Sequence, residues 1–159
     1  MEGAARRIVH DLKYKQVRIL ADTMTTLMTP IASALPFDFA MPIPLHHSRV
    51  KSRGFNQAEL LVRSLAWPQP DGVLRRTRRT DQQVGKHLSE RRRNVGGAFS
   101  YSGERLTGQT IALVDDVITT GATADECAKI LKDHGARRVV AVAFARASYD
   151  PTHPNRIND

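Results

Sequence analysis

Residues 110–123 read Thr-Ile-Ala-Leu-Val-Asp-Asp-Val-Ile-Thr-Thr-Gly-Ala-Thr, and this stretch decides the fold. Its first five residues form a short apolar run of the kind that is buried in parallel sheets. Residues 124–131 follow with apolar side chains at helical spacing, and residues 139–144 form a second buried-type strand. A strand, a helix and a strand in this order make a right-handed crossover unit, so the sequence predicts an α/β fold.

The polar residues between the first strand and the helix indicate an anion site. In open α/β sheets, ligands bind beyond the carboxyl ends of the strands, where a helix N-terminus presents unpaired N–H groups. Thr119, Thr120 and Thr123 add hydroxyl donors, and Gly121 allows a tight turn close to a phosphate. The loop is therefore predicted to bind phosphate. Thr123 and Glu126 also match a capping box, which would place the helix N-cap at Thr123.

Asp115 and Asp116 do not suit a bare phosphate site, because carboxylates repel anions. Carboxylates accept hydrogen bonds from the vicinal hydroxyls of a ribose, or help to hold a hydrated divalent cation. A phosphate loop beside such a pair describes a ribose 5-phosphate site. The alternative is that the acids cap the helix and the threonines stabilise a turn. Neither a Walker loop nor a Gly-x-Gly-x-x-Gly fingerprint occurs in the sequence.

The rest of the chain gives a coarser pattern. Apolar residues at helical spacing predict a helix over residues 19–28, with Pro30 just past its end. Residues 37–45 are apolar and extended, and their prolines predict a strand that runs into a loop near Pro42. Asn56 is a plausible N-cap for an amphipathic helix that ends before residues 67–68. Two later segments have the composition of turns, at residues 101–103 and 108–109.

The charge is unevenly distributed. The 159 residues carry 24 Lys and Arg against 16 Asp and Glu, a formal net charge of +8. Residues 75–93 hold eight basic and two acidic residues, a net charge of +6, with no hydrophobic periodicity. This segment is predicted to be an exposed excursion that either meets polyanions or is simply solvated.

The cysteine count and the apolar runs exclude several protein classes. Cys127 is the only cysteine, so neither an internal disulfide nor a cysteine-based zinc site can form within the chain. We interpret Cys127 as a small core residue. No apolar run approaches the length of a spanning helix, and the N-terminus does not read as a signal peptide. The sequence predicts a cytoplasmic protein with no membrane partner.

Several motifs together resemble a known family. Residues 111–123 resemble the signature for phosphoribosyl pyrophosphate (PRPP) in type I phosphoribosyltransferases: four hydrophobics, two acids, two hydrophobics and a Thr-Gly-x-Thr loop. Other stretches are similar to the ComF (competence-protein-F-like) branch, and the resemblance covers residues 8–146. These stretches are Pro42-Ile-Pro-Leu-His46, Arg53-Gly-Phe-Asn-Gln57, Arg76-Thr77 with Gln83 and Gly85, Arg91-Arg-Arg-Asn94, and Ala98-Phe99.

The resemblance implies a type I phosphoribosyltransferase fold, with a mainly parallel central sheet flanked by helices and a flexible hood over residues 75–99. It implies one domain over residues 1–150 and a tail over 151–159. It also implies these roles: ribose binding by Asp115 and Asp116; 5-phosphate binding by Thr119, Thr120, Gly121, Ala122 and Thr123; pyrophosphate binding by Leu45, His46, Arg49, Lys51 and Arg53; hood contacts by Arg76, Thr77, Gln83, Arg91 and Asn94. For each of the three basic residues in the pyrophosphate set, ordinary surface charge is the alternative.

The implied activity is that of a pentosyl-transferring glycosyltransferase. A nitrogen acceptor would displace pyrophosphate from Mg-PRPP, with Mg²⁺ arriving on PRPP and no metal ligand from the protein. The alternative is a competence-associated, nucleic-acid-binding or regulatory protein with a non-catalytic PRPP site. Thr119 stands where some purine-using relatives have a catalytic aspartate, so the acceptor is unassigned. The chain also lacks the four-cysteine zinc module of longer ComF-like chains, and a homodimer is left open.

Overall fold

A computed structural model describes residues 20–78 and 96–146, which contain four helices and five strands. Within these ranges, no helix is both long and apolar enough to cross a membrane. In chain order the elements are α1 (Leu20–Ser33), β1 (Phe39–Pro42), α2 (His47–Arg53), α3 (Gln57–Ser64), β2 (Gly72–Arg76), β3 (Phe99–Gly103), β4 (Thr110–Ile118), α4 (Ala122–Asp133) and β5 (Arg138–Arg146).

The central sheet has the order β1-β4-β5, and both pairings are parallel. This arrangement, with α4 joining β4 to β5, confirms the predicted α/β fold. β4 is longer than its neighbour β1: Pro42 of β1 pairs with Val114, whereas β4 continues along β5 until Ile118 pairs with Arg146. The carboxyl end of β4 therefore extends beyond the last residue of β1.

The residues of β4 alternate between two hydrophobic cores, one on each face of the sheet. Ile111 and Leu113 pack with α4 and the β2–β3 hairpin. Ala112 and Val114 pack with α1 and α3 on the opposite face. Because successive side chains of a strand point to opposite faces, this alternation also fixes the directions of the residues that follow.

The first helix extends further than predicted. α1 runs to Ser33 with Pro30 inside it, so the prediction that the helix ends before Pro30 is wrong. An interior proline removes one helical hydrogen bond and crowds the carbonyl four residues earlier. Met24 and Met28 of α1 are buried in the core with α3, and this packing outweighs the local preference to stop.

The β2–β3 hairpin corrects two further predictions. Residues 101–103 belong to β3 and not to a turn, because Phe99 and Tyr101 alternate inward as a strand requires. Arg75 and Arg76 lie in β2, so the predicted excursion begins later than residue 75. At the open end of the hairpin, the Thr77 N–H donates to the Ala98 carbonyl.

We expect Gly103→Ala to destabilise the hairpin. A Cβ at this position would lie 2.5 Å from the Gly72 Cα and 2.7 Å from the Asp71 carbonyl oxygen, both backbone atoms that cannot rotate away. Overpacking of this kind costs about 1–3 kcal/mol of unfolding free energy, measurable by urea denaturation. The exposed neighbour Ser102→Ala is the control and should change stability little. Equal stability of both variants would contradict the hairpin geometry.

Candidate functional site

A shallow pocket lies at the carboxyl end of β4, where the strand passes into α4. It encloses about 270 Å³, including open solvent at its mouth. Its walls come from the end of β4, the loop that follows, the first turn of α4 and one residue after β1. The lining residues are Ile43, Asp115, Val117, Ile118, Thr119, Thr120, Gly121, Ala122, Thr123 and Ala124.

The loop at the start of α4 has the geometry of an anion site. Gly121 is the N-cap residue and adopts a left-handed conformation with φ 78°, which glycine accommodates without strain. No side-chain hydrogen bond caps the helix at this residue. The Ala122 N–H donates to the Thr120 hydroxyl at 3.4 Å, and the first turn of α4, at the positive end of the helix dipole, lines the pocket. All five loop residues predicted to bind phosphate line it.

The predicted capping box at Thr123 and Glu126 is wrong. The helix already begins at Ala122, so Thr123 lies inside the first turn. The Glu126 carboxylate instead accepts a hydrogen bond of 2.8 Å from the Gly97 N–H. This bond joins α4 to the segment just before β3 and holds the open end of the hairpin beside the pocket.

The structure separates the two neighbouring aspartates. β4 continues to Ile118, so Asp115 follows the face of Leu113 and lines the pocket, and Asp116 points to the opposite face. Asp115 is half-buried, whereas Asp116 is only 5% exposed and does not line the pocket. The Asp115 carboxylate accepts from the Asp116 N–H at 2.8 Å, which fixes its orientation.

A short helix follows the loop after β1. His46 is its N-cap: the ring nitrogen Nδ1 accepts from the Ser48 N–H, and the side chain is buried. Leu45 precedes it and is half-buried. In α2, Arg49 and Arg53 are four residues apart on one face and are half-buried, whereas Lys51 lies on another side and is exposed. The structure thus groups two of the three basic residues predicted to bind pyrophosphate.

Arg76 at the end of β2 and Arg49 of α2 lie close enough for their charges to interact. Burial lowers the pKa of Arg76 from its ordinary value, and the nearby Arg49 guanidinium lowers this pKa further. Arg76 also lies over the Phe99 ring, 5.3 Å from its centroid. Of the predicted hood residues, Arg76 ends β2 and Thr77 follows it; Gln83, Arg91 and Asn94 lie outside the described residues.

Comparison with known proteins assigns the family. The model of the phosphoribosyl transferase domain family matches residues 50–156, about two thirds of the chain. The chain belongs to this family. The match includes β4, the loop and α4, which together form most of the pocket.

Similar proteins place the domain in the ComF branch. It is 39% identical to Competence protein F from Haemophilus influenzae over 67% of this chain and 49% of that protein. It is 32% identical to DNA utilization protein YhgH from Escherichia coli O157:H7 over 87% of this chain and 66% of that protein. The chain thus spans about half to two thirds of the length of these relatives. A solved phosphoribosylpyrophosphate synthetase from Mycobacterium smegmatis is 20% identical, with a TM-score of 0.45, over 83% of this chain and 35% of that chain.

The described side chains near the pocket include one carboxylate that could face a metal ion. Among residues 20–78 and 96–146, no three His, Cys, Asp or Glu side chains are grouped as metal ligands. Among the described residues that line the pocket, Asp115 carries the one carboxylate. Mg²⁺ keeps several waters and is commonly held by one or two carboxylates and substrate phosphates. A single carboxylate beside a phosphate loop is compatible with this kind of Mg²⁺ site.

Two links beside the pocket were missed by sequence reasoning. One is the bond from Gly97 to Glu126, and the other is a hydrogen bond from the Asn56 side chain to the Ile43 carbonyl. Both join residues that are far apart in the chain, and no local pattern predicts such pairs. Asn56 itself was predicted as the N-cap of α3, and the structure confirms this.

Cys127 is expected to be unreactive in the folded domain. Burial raises the pKa of its thiol to about 12, so almost no thiolate exists near pH 8. A disulfide reagent such as dithionitrobenzoate should label the unfolded chain but not the native one. The pKa of the folded thiol lies above its ordinary value of 9.0. Below pH 9 the thiol therefore stays protonated in both the folded and the unfolded chain, and its titration does not change the unfolding free energy. Between pH 9 and 12 the unfolded chain loses the thiol proton and the folded chain keeps it, so the unfolding free energy should fall by up to about 1.4 kcal/mol per pH unit.

Cys127→Ala is the control, because it removes the titrating thiol. In this variant the unfolding free energy should depend less steeply on pH between pH 9 and 12. Labelling of the native chain at the rate of the unfolded chain would contradict the buried position of Cys127.

Proposed function

We propose that this domain binds Mg-PRPP and transfers its 5-phosphoribosyl group to a nitrogen acceptor, with release of pyrophosphate. The observation that carries the proposal is the composition of one pocket. The N-terminus of α4, a threonine-rich loop and the carboxylate of Asp115 line the same cavity. The first two features suit a phosphate, and the third suits the hydroxyls of a ribose.

The 5-phosphate is placed at residues 119–123. The N–H groups of the first turn of α4 and the hydroxyls of Thr119, Thr120 and Thr123 are the donors within reach of the pocket. We place the ribose hydroxyls at Asp115, because that carboxylate lines the pocket. A ribose contact by Asp116, on the other face of β4, stays a prediction that variants of both aspartates can test.

The pyrophosphate is placed beside the loop after β1, near Leu45 and His46. Arg49 and Arg53 share one face of α2, and Arg76 stands near Arg49, so three guanidinium groups supply positive charge on this side. Lys51 and Thr77 are exposed, and their contacts with a ligand stay predictions, as do those of Gln83, Arg91 and Asn94. When bound, Mg²⁺ would neutralise charge on the departing pyrophosphate.

The reaction exchanges one bond at the anomeric carbon. The bond from C1 of the ribose to the pyrophosphate oxygen breaks, its electron pair leaves with pyrophosphate, and the acceptor nitrogen bonds to C1 and then loses a proton. Positive charge develops on the ribose during this step, and the carboxylate of Asp115 can stabilise that charge. The arginines stabilise the negative charge on the leaving group. We place this chemistry in the cytoplasm, where PRPP is available.

The second candidate function is nucleic-acid binding with a non-catalytic PRPP site. Two relatives are named Competence protein F and DNA utilization protein YhgH, which supports a role in DNA handling. Arg75 and Arg78 are exposed at the end of the hairpin that leads into the basic segment. Labelled single-stranded DNA should then bind with an affinity that falls steeply between 50 and 200 mM salt. Absent or salt-insensitive binding would exclude this function.

Turnover tests the primary proposal. The domain is incubated with Mg-PRPP and a panel of nucleobases and amines while released pyrophosphate is measured. We expect pyrophosphate release that depends on one acceptor and is lost in Asp115→Asn. No release with any acceptor, despite PRPP binding, would leave the non-catalytic candidate as the better one.

A further inference from the structure

Asn56 and Gln57 are polar side chains in an unusually buried position at the start of α3. Asn56 is 3% exposed and Gln57 is 2% exposed. Burying an amide side chain is unfavourable unless its hydrogen bonds are made. The contacts of these two residues therefore indicate what their polar groups do in the structure.

The Asn56 side chain makes two hydrogen bonds of 3.1 Å that serve different parts of the fold. Its Oδ1 accepts from the Ala58 N–H at 3.1 Å, which caps α3. Its Nδ2 donates to the carbonyl oxygen of Ile43 at 3.1 Å, thirteen residues earlier in the chain. The cap needs only the oxygen, whereas the amide nitrogen reaches Ile43 outside the helix and makes a longer contact of 3.5 Å with the Glu59 carboxylate.

The second bond holds the loop after β1. The Ile43 N–H already donates to the Val114 carbonyl at 2.8 Å, which extends the β1–β4 ladder by one residue. Because Asn56 donates to the Ile43 carbonyl, the peptide groups on both sides of Ile43 are fixed. Ile43 also lines the pocket. The next residues are Pro44, Leu45 and His46, where the pyrophosphate is placed.

Gln57 acts in the same region. Its Oε1 accepts from the Arg53 guanidinium at 3.4 Å, a weak bond that limits the positions of that side chain. Arg53 is one of the guanidinium groups assigned to pyrophosphate. The end of α2 and the start of α3 are thus linked to the proposed pyrophosphate side and not to the phosphate loop at residues 119–123.

We propose that Asn56 is a positioning residue for pyrophosphate recognition: it ties the start of α3 to Ile43 and so fixes the loop that precedes His46. The inference rests on the proposed function. Asn56 does not touch the ligand in this arrangement but acts through the backbone of the loop. A purely structural role would affect every ligand of the pocket equally, whereas a positioning role affects only ligands that carry pyrophosphate.

The test compares two ligands on one variant. Asn56→Ser keeps an oxygen that can cap α3, because serine and asparagine are comparable N-caps, but it cannot donate to Ile43 across the same distance. Affinities for Mg-PRPP and for ribose 5-phosphate are measured by calorimetric titration. We expect Mg-PRPP to bind about tenfold more weakly, the effect of one lost buried hydrogen bond, with ribose 5-phosphate unchanged. Glu59→Ala is the matched control, since its carboxylate makes only a 3.5 Å contact with Asn56.

Each result has a defined meaning. Unchanged affinity for both ligands, or an equal loss for both, would overturn the positioning role. If wild-type protein binds neither ligand, the proposed function fails first, which is a distinct result. If Asn56→Ser does not fold, as judged by circular dichroism, Asn56→Gly replaces it, because glycine is tolerated at an N-cap, buries no charge and cannot donate to the Ile43 carbonyl.

Discussion

Asp115→Asn is expected to weaken Mg-PRPP binding by about 10- to 100-fold. Asp115 is the carboxylate in the pocket lining, and a hydrogen bond from a ribose hydroxyl to a charged acceptor contributes about 1.5–3 kcal/mol. Asparagine keeps the shape and one acceptor oxygen but removes the charge. The measurement is the dissociation constant of Mg-PRPP by calorimetric titration.

Asp116→Asn is the matched comparison, because the same change occurs one residue later on the opposite face of β4. We expect it to weaken Mg-PRPP binding less than Asp115→Asn does. A larger effect at Asp116 would contradict the assignment of the ribose to Asp115. It would favour a ligand that reaches past the pocket lining to the second carboxylate.

Leu113→Ala is expected to lower the unfolding free energy by about 2–5 kcal/mol. Leu113 is 0% exposed and lies in the central strand of the sheet, in the core that also contains the start of α4. Truncation would remove buried apolar surface and leave a cavity that the rigid sheet cannot fill. Urea denaturation, with a check that the transition remains two-state, measures the change.

The control for Leu113→Ala is Leu27→Ala, which makes the same chemical change at a position that is 58% exposed. Its expected effect is within about 0.5 kcal/mol. A similar decrease in unfolding free energy at both positions would contradict the central position of β4. It would also contradict the placement of the pocket at the end of that strand.

The βαβ unit was predictable because the residues that indicate each strand and the helix lie close together in the chain. The apolar run at 110–114 and the helical spacing after Gly121 are each read within a few residues. β3 was missed because the serines and Gly103 have the composition of a turn, although Phe99 and Tyr101 alternate as in a strand. α2 was missed because it is only seven residues long and has no apolar periodicity. Its bounds depend on the His46 cap and on Gly54, which has a φ of 78°.

The lining of the pocket was predictable for the loop, but not for the two neighbouring carboxylates. The loop residues are consecutive, so their place at the start of α4 follows from the sequence. Which aspartate lines the pocket depends on how far β4 continues, and that length is set by pairing with β5 up to Ile118 and Arg146. The bond from Asn56 to Ile43 likewise depends on the packing of α3 against the sheet.

The placement of the phosphate at the start of α4 is tested most directly by an NMR titration with Mg-PRPP. Backbone amide shifts of isotopically labelled protein are followed as the ligand is added. The amides of residues 119–123 should move most, with Asp115 and its neighbours next, and all should saturate together at one ligand per chain. Shifts concentrated at Arg75 and Arg78 on the hairpin, or no shifts at saturating ligand, would contradict the proposed site.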